Sequence, residues 1–231
     1  ERVEPTVKIP SGVLSTSLLD SKGNLWYGTY DQGLAVQYAT AKQFNSNNTL
    51  LQTFANKSVT GMAEDSKGNI YISTYNGGLW RWNIGSDTLS PLTVANKPAQ
   101  MRPERIFIDS HDNIYINYLF VIAKHAIGKS NTLTVNNLYL IPSGMGYDLM
   151  EDASGRIWAG TNSGSLYILG NNPGETTEVH IEAEYITTST LSPEVATLAD
   201  GRIVTISLGT GITLINPTTL QQTNIPTTNV L

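Results

Sequence analysis

The sequence contains no cysteine, which excludes several kinds of site at once. Since none of its 231 residues is Cys, the chain forms no disulfide, binds no metal through thiolates and has no cysteine nucleophile. Cysteine content therefore leaves the redox compartment undetermined.

Charged side chains are scarce as well. They make up 14% of the chain, against about a quarter in an average globular protein, whereas Asn, Ser, Thr and Gly are plentiful. The formal net charge is −5, and the basic residues are scattered rather than clustered. We expect no nucleic-acid partner, because proteins that bind nucleic acid present basic surfaces that displace counterions from the phosphates. A polar surface with few charges favours a protein outside the cytoplasm.

Long hydrophobic runs are absent too. A membrane-spanning helix needs about 18 consecutive apolar residues or more, and the longest comparable run is LFVIA at 119–123. We expect no membrane span in this segment. The chain also lacks a Met-initiated leader with a basic and an apolar part, so we expect any secretion signal to have been removed or to lie outside it.

What the sequence does contain is one outline repeated five times, most clearly in DSKGNIYISTYNGGLWRW at 65–82. Asp65 and Asn69 suit a tight turn because their side chains bond the local backbone, and Gly68 accepts a positive φ. The β-branched and aromatic run 70–74 reads as a strand, and the following Asn-Gly-Gly reverses the chain into a second strand. The stretch is therefore half of a four-stranded antiparallel sheet.

The other copies are recognised by the same turn. They begin at Asp20, Asp109, Asp152 and Asp200, and the last copy is the weakest. Equivalent turn residues are 45, 44, 43 and 46 positions apart, running through Gly23, Gly68, Asp112, Gly155 and Gly201. A period in the low forties with about four short strands is typical of a propeller blade, whereas helical repeats need helix formers where these units carry turn glycines. The sequence predicts an all-β fold, a β-propeller of five four-stranded blades of about 45 residues.

The blade boundaries follow from this period. We place the blades at residues 6–54, 55–97, 98–141, 142–188 and 189–226, in a single domain that covers 1–231. The segment 223–231 matches 6–14, since each reads as an outer strand, a proline turn and the start of an inner strand. We therefore expect a segment of a larger propeller, with residues 227–231 opening a further blade. A closed five-bladed ring is the alternative.

Outer strands are the hardest elements to place from the sequence. We predict them at Leu50–Phe54, at Leu89–Val94, at Thr132–Val135 or Leu138–Ile141, within Val179–Ile186 and at Gln222–Ile225.

The motif DSKGNLWYGTY at 20–30, followed by Gly33-Leu34, and its copy at 65–82 resemble the two-component regulator propeller repeat. The resemblance is good in blades one, two and four, partial in three and faint in five. It implies part of a seven-bladed propeller in the periplasmic sensor region of a hybrid two-component system of gut bacteria, a histidine kinase joined to a response regulator. It further implies that the partner is an oligosaccharide or glycan fragment, that the parent protein is a homodimer, and that it is anchored in the inner membrane.

Metal and catalytic motifs are not found. The repeated Asp-x-x-Gly is similar to part of a calcium loop, but the further oxygen ligands and the distal Glu do not recur. We interpret these aspartates as turn formers and predict no metal site, no cofactor and no catalytic residue. The histidines, His111, His125 and His180, lie in no zinc or hydrolase motif. A pair of carboxylates on one rim stays open as an enzymatic alternative.

Aromatic residues suggest both packing and a site. Trp26 and Trp158 share a repeat position with Tyr71 and Tyr115, which favours packing between neighbouring blades. At one rim, where second strands end and inner strands begin, aromatic faces and guanidinium groups would suit a sugar, sulfated or carboxylated if the arginines take part. The predicted ligand-binding residues are Tyr30, Tyr75, Arg102, Arg105, Tyr118 and Tyr147. Packing of these loops on one another is the alternative for each residue.

The sequence therefore predicts an extracytoplasmic, periplasmic sensor propeller that recognises an oligosaccharide without catalysis and passes the signal to modules outside this chain. A polysaccharide lyase or hydrolase is one alternative. A structural interaction propeller of a secretion or surface assembly is the other.

Overall fold

The structure is a computed structural model, and it describes residues 11–40, 49–75, 78–83, 85–95, 102–127, 131–142, 146–161, 165–180, 194–207 and 211–225. Within these ranges the chain forms nineteen strands and one short helix. It divides into two compact units, unit one (1–108 and 127–134) and unit two (109–126 and 135–231). No helix in these ranges has the length and apolar content that a membrane crossing requires.

The first two repeats lie in unit one, and each is an antiparallel meander. The first repeat contributes β1 (Leu14–Leu19), β2 (Leu25–Thr29) and β3 (Leu34–Gln37). The second contributes β4 (Val59–Glu64), β5 (Asn69–Thr74), β6 (Gly78–Asn83) and β7 (Thr88–Val94). Consecutive strands pair through tight turns, as period-two patterning between turn glycines predicts.

The predicted outer strand Leu50–Phe54 is wrong. Residues Thr49–Gln52 form a short helix, α1, instead. Leu51 and Phe54 are three residues apart and both buried, and a spacing of three places side chains on one side of a helical turn but on opposite faces of a strand. Short apolar runs fit either element by periodicity, so the burial of both side chains against unit one's core decides between them.

The third repeat is shared between the two units. It comprises β8 (Arg105–Ile108), β9 (Ile114–Asn117), β10 (Val121–Ile127) and β11 (Thr132–Leu140). Strand β11 is continuous over both of the positions that the sequence offered for this outer strand. In unit one its first residues pair in parallel with β7, Thr132 opposite Thr93 and Leu133 opposite Val94, which gives the outer edge of the second repeat a partner.

The fourth and fifth repeats lie in unit two and are four-stranded antiparallel meanders. They contain β12 (Gly146–Glu151), β13 (Ile157–Thr161), β14 (Ser165–Leu169) and β15 (Thr176–His180), then β16 (Glu194–Thr197), β17 (Ile203–Ser207), β18 (Gly211–Ile215) and β19 (Gln222–Ile225). Strand β15 begins before the predicted range 179–186, because the tight turn at Asn171–Gly174 reverses the chain at once; the backbone N–H of Gly170 donates to the carbonyl of Glu175 at 2.8 Å. Residues 181–186 lie outside the described ranges.

These repeated meanders are the blades of a β-propeller, and the predicted fold class is confirmed. The predicted strand at 6–9 and the proposed further blade at 227–231 lie outside the described residues. The blade boundaries stay predictions.

A glycine of the repeat motif permits close packing in unit one. A Cβ on Gly28 of β2 would lie 2.8 Å from side-chain atoms of both Thr16 and Val59, so the first repeat rests directly on β4. In the second repeat the small residue is on the neighbouring strand, because Gly61 of β4 lies opposite Ser73 of β5. The core there includes Trp26 and Trp82, whose ring centroids are 5.2 Å apart in an edge-to-face arrangement.

Candidate functional site

Four of the five repeats carry the same arrangement at the turn between their first two strands, here called the turn end of the sheet. In unit two, Oδ1 of Asp152 accepts hydrogen bonds from the backbone N–H groups of Ser154 and Arg156 at 2.8 and 3.0 Å. Its Oδ2 accepts from Arg156 Nε and Trp158 Nε1, both at 2.8 Å. Burial alone would raise the pKa of this carboxyl, but the hydrogen bonds from Trp158 and Arg156 hold the pKa below its ordinary value.

The same network recurs with exchanged donors. Asp20 accepts from Asn24 and from Trp26 Nε1, whereas Asp65 accepts from Asn69 and from the Tyr71 hydroxyl. Both Trp and Tyr are suited to this position, because each donates a polar hydrogen to the carboxylate while its ring packs in the core. Since donors occupy these carboxylate oxygens, the arrangement is that of turn formers. No cluster of three or more metal-ligating side chains occurs in the described part of the chain.

Neighbouring repeats are clamped together at the turn end. In unit one the backbone N–H and the hydroxyl of Ser21 donate to the two carboxylate oxygens of Glu64, at 2.7 and 2.6 Å. In unit two Ser110 does the same with Glu151, at 2.7 and 2.8 Å. Each clamp joins a turn of one repeat to the inner strand of the next.

An open pocket of about 590 Å³ lies beside the clamp in unit two, between His111, Glu151 and Thr197. Ser110 Oγ is 3.2 Å from His111 Nδ1 and 2.8 Å from Glu151 Oε1. In a catalytic triad the histidine lies between the serine and the carboxylate and accepts the serine's proton. Here the serine is in the middle and donates to the carboxylate, so this trio does not supply an activated nucleophile.

The opposite end of the strands, here called the loop end, holds most of the predicted site residues. In three repeats a threonine closes the loop that follows the second strand: Thr29, Thr74 and Thr161 donate through Oγ1 to the carbonyls of Gly33, Gly78 and Ser165, at 3.1, 3.1 and 2.8 Å. The residue after the threonine then lies at the tip. This position is Tyr30 in the first repeat and Tyr75 in the second.

Unit one brings these two tyrosines together and leaves both exposed, Tyr30 by 49% and Tyr75 by 41%. Ser58 joins their backbones, since its hydroxyl donates to the carbonyl of Tyr30 and its own carbonyl accepts the N–H of Tyr75 at 2.9 Å. Arg102 adds a charge: its guanidinium carbon is 5.3 Å from the ring centroid of Tyr75. Tyr30, Tyr75 and Arg102 therefore form one surface, the aromatic rim.

Arg105, which was predicted beside Arg102, has a different environment. Its Nη1 donates to the carbonyl of Ser15 at 3.0 Å and to the carbonyl of Thr60. The guanidinium thus ties β1, β4 and β8 together beneath the rim. Gly61 allows this approach, because a Cβ there would lie 2.9 Å from the backbone nitrogen of Ile106.

Tyr118 lies in unit two and is only 6% exposed. Its hydroxyl is 3.5 Å from Nε2 of the buried His125, and burial raises the pKa of Tyr118 above its ordinary value. Burial also lowers the pKa of His125 to about 4, opposed by backbone carbonyls of Ala123 and Ile114. Tyr118 therefore offers a ligand little surface. The side chain of Tyr147, in β12, lies outside the described residues.

The exposed residues of that loop are the two after Tyr118. Leu119 has a φ of 72°, in the left-handed region that Gly33 and Gly78 occupy in the other repeats, and Phe120 is 56% exposed. A leucine in this conformation is strained. The residue that the sequence analysis chose from this loop, Tyr118, is therefore the buried one.

Sequence reasoning missed two residues next to the aromatic rim, Ser58 and Glu104. Glu104 is half-buried, and its burial raises the pKa of the carboxyl, opposed by the nearby charges of Arg105 and Arg102. The signal was present in the sequence, because R-P-E-R at 102–105 is a dense group of charges in a chain with few.

Comparison with known proteins agrees with the repeat and the fold. Residues 53–76 match the family described as two component regulator propeller, which confirms the predicted resemblance. No curated protein matches the chain.

Among solved structures, the extracellular domain of the hybrid two component system BT3049 from B. thetaiotaomicron has a TM-score of 0.72 and 17% identity, over 98% of this chain and 30% of that chain. The corresponding domain of BT4673 has a TM-score of 0.67 and 16% identity, over 94% and 33%. Virginiamycin B lyase from Staphylococcus aureus has a TM-score of 0.68 and 14% identity, over 92% and 69%. The chain thus spans about a third of the two-component domains. At these identities the likeness shows the fold.

Proposed function

We propose that this chain is part of an extracytoplasmic sensor propeller of a hybrid two-component system, and that its aromatic rim binds an oligosaccharide without catalysis. The observation that carries the proposal is the pair of exposed tyrosines, Tyr30 and Tyr75, whose backbones are joined through Ser58. Exposed aromatic faces on a rigid sheet are suited to stacking on sugar rings, and Arg102 adds hydrogen-bond donors beside them.

The repeat at 53–76 and the likeness to extracellular domains of two-component systems support the sensor class. In this proposal the parent protein is a periplasmic, inner-membrane-anchored homodimer. The ligand favours one arrangement of the partners by binding it more tightly, and that difference in affinity is the signal passed to modules outside this chain.

An enzymatic function is the second candidate, and one observation favours it. Glu104 is a carboxyl of raised pKa near the rim, a property found in general acids, and a lyase is among the proteins of similar fold. Hydrolysis or elimination needs a partner group in position to act with it, and Arg105 is engaged with backbone carbonyls. Non-catalytic binding therefore fits the rim better.

The third candidate is an interaction module. Unit two exposes Leu119, Phe120, Leu138 and Leu140, and apolar residues at a loop tip and along an outer strand are suited to protein contact. This surface lies in unit two, whereas the aromatic rim lies in unit one, so separate variants test the two functions.

The test is thermal unfolding of the chain against a panel of plant, host and microbial oligosaccharides, with product analysis of the same samples. A ligand that binds only the folded state at a hundred times its Kd adds about 2.7 kcal/mol to the free energy of unfolding. We expect a shift with the oligosaccharide intact, lost in Tyr75→Ala and kept in Phe120→Ala, the exposed aromatic control in unit two. Cleavage of the oligosaccharide, or no shift with any member of the panel, would contradict the proposal.

A further inference from the structure

The two arginines near the rim differ in how their donors are used. Arg105 donates through Nη1 to the carbonyls of Ser15 and Thr60 and thereby holds β1, β4 and β8 together. Arg102 is exposed and contacts Tyr75 through its charge and the ring face. A cation–π contact orients a guanidinium without using its N–H donors. Both salt bridges found in the described part of the chain involve other arginines, Arg156 and Arg202.

We propose, on the basis of the function proposed above, that the oligosaccharide bound at this rim is acidic, and that Arg102 binds a carboxylate or sulfate group of the sugar that stacks on Tyr75. A carboxylate and a sulfate share the relevant chemistry, because each presents at least two oxygens that a guanidinium contacts with two parallel hydrogen bonds. Stacking over Tyr75 fixes the guanidinium before the ligand arrives, which reduces the entropy lost on binding.

Local charge supports this choice. The chain as a whole has a net charge of −5, yet the segment 102–105 contains two arginines and one carboxylate. Even with that carboxylate, Glu104, ionised, the two arginines give the segment a net charge of +1. A neutral sugar would gain nothing from this positive charge, whereas an anionic sugar is attracted to it.

Glu104 also provides a proton-linked test of the same idea. The charged side chains that act on it among the described residues are Arg105 and Arg102. An anion bound by Arg102 repels the ionised form of Glu104, so binding and protonation of Glu104 favour each other. Affinity for an acidic ligand should therefore rise as the pH falls toward the raised pKa of this carboxyl.

The first experiment uses isothermal titration of the full chain with three tetrasaccharides of related sugars. They are a neutral β-1,4-galactan, a galacturonan that carries carboxylates, and a carrageenan fragment that carries sulfates. We expect at least one acidic tetrasaccharide to bind tenfold or more tightly than the neutral one. Preference for the carboxylate or for the sulfate form identifies which source of charge the site reads.

Matched variants then locate the effect. Arg102→Gln should weaken binding of the acidic tetrasaccharide at least tenfold more than it weakens binding of the neutral one, and the affinity of Arg102→Lys should lie between those of the wild type and Arg102→Gln. Arg202→Gln removes the same charge from an exposed turn of unit two and should change neither. With the sulfated probe, whose charge is constant across the range, wild-type affinity should increase between pH 7 and 5, and Glu104→Gln should bind more tightly at pH 7 and lose this dependence.

The outcomes separate this inference from the proposed function. If the neutral tetrasaccharide binds as well as the acidic ones and Arg102→Gln binds both as the wild type does, the acidic ligand is wrong while oligosaccharide binding stands. If no tetrasaccharide binds, in this set or in the wider panel, both proposals fail. If Arg102→Gln loses affinity equally for the neutral and the acidic tetrasaccharides, Arg102 acts by positioning Tyr75, and the inference is wrong.

Discussion

The two ends of the strands differ in what the repeats keep. At the turn end four repeats build the same network around Asp20, Asp65, Asp109 and Asp152, in which a buried or half-buried carboxylate accepts backbone, side-chain and aromatic donors. At the loop end the same strands finish in unlike residues: an exposed Tyr30 or Tyr75, or a buried Tyr118 followed by a strained Leu119. Repetition therefore marks the scaffold, and departures from it mark the surface that is free to acquire a function.

This contrast predicts that substitutions at the turn end change stability and leave binding intact, whereas substitutions at the aromatic rim do the reverse. Four stability predictions, in decreasing size, are each paired with a matched residue in another repeat or environment.

The largest effect is expected for Asp152→Ala. This change leaves the buried Trp158 Nε1 and Arg156 Nε without their acceptor, which should lower the free energy of unfolding by about 4 kcal/mol. The control is Asp200→Ala, in the corresponding turn of the fifth repeat, where Leu198 takes the position of Asp152; the Asp200 carboxylate is exposed, and its partner among the described residues is Arg202. Denaturant unfolding of both variants is the measurement; equal losses would show that burial of the network is not what stabilises the turn.

The second-largest effect concerns the backbone of the loop-end loops, where two glycines have a positive φ. A Cβ on Gly33, whose φ is +87°, would lie 2.1 Å from the carbonyl oxygen of Phe54, whereas a Cβ on Gly78, with φ +82°, meets nothing within 4 Å. Gly33→Ala should therefore cost about 3 kcal/mol and Gly78→Ala about 1 kcal/mol. Chemical denaturation of the two variants measures the difference. If Gly78→Ala loses as much free energy of unfolding as Gly33→Ala, the positive φ rather than the steric overlap with Phe54 causes the loss.

The third effect is a pH dependence in unit two. Burial lowers the pKa of His125 from 6.5 to about 4 in the folded chain, so the unfolded state takes up its proton first as the pH falls. The contribution of neutral His125 to the free energy of unfolding is therefore fully present above pH 6.5. Below that pH it decreases, by about 2 kcal/mol between pH 7 and 5. Thermal or urea unfolding of wild type and His125→Gln checks this, with His111→Gln, at an exposed turn position, as the control. The prediction fails if His125→Gln keeps the wild-type slope.

The smallest effect concerns the clamps between repeats. Glu64→Gln keeps the shape of the side chain but exchanges a charged acceptor for a neutral amide opposite Ser21, which should cost about 1 kcal/mol. Glu194→Gln, an exposed residue of β16, is the control. A loss of binding at the aromatic rim in Glu64→Gln, without loss of stability, would contradict the division between the two ends.

The sequence predicted the parts of this fold that local chemistry determines. The strand predicted at 70–74 is β5, which begins one residue earlier, and β19 has the predicted bounds, because turn residues and period-two patterning are read without knowledge of the rest of the chain. The turn-former interpretation of the aspartates also needed only the local spacing. The error at Leu50–Phe54 arose where an apolar run was too short for its period to decide.

The site was predictable only in part, for a different reason. Tyr30, Tyr75 and Arg102 were found from their place in the repeat, but the distinct environments of Arg102 and Arg105 depend on which carbonyls lie within reach across three strands. Tyr118 shows the same limit. It is buried beside His125, whereas Phe120, two residues later, is exposed, and Leu119 between them has a positive φ. Side-chain partners of this kind are chosen by tertiary packing, which a repeat pattern does not encode.

Hydrogen–deuterium exchange of the chain, with and without the oligosaccharide found in the panel, tests whether the aromatic rim is the binding surface. We expect slower exchange at the loop end of unit one, around Tyr30, Tyr75 and Arg102, and unchanged exchange at the turns that begin with Asp20, Asp65 and Asp152. Protection confined to the turn end, or to unit two around His111 and Glu151, would contradict this expectation and would place the functional surface on the repeated side of the fold.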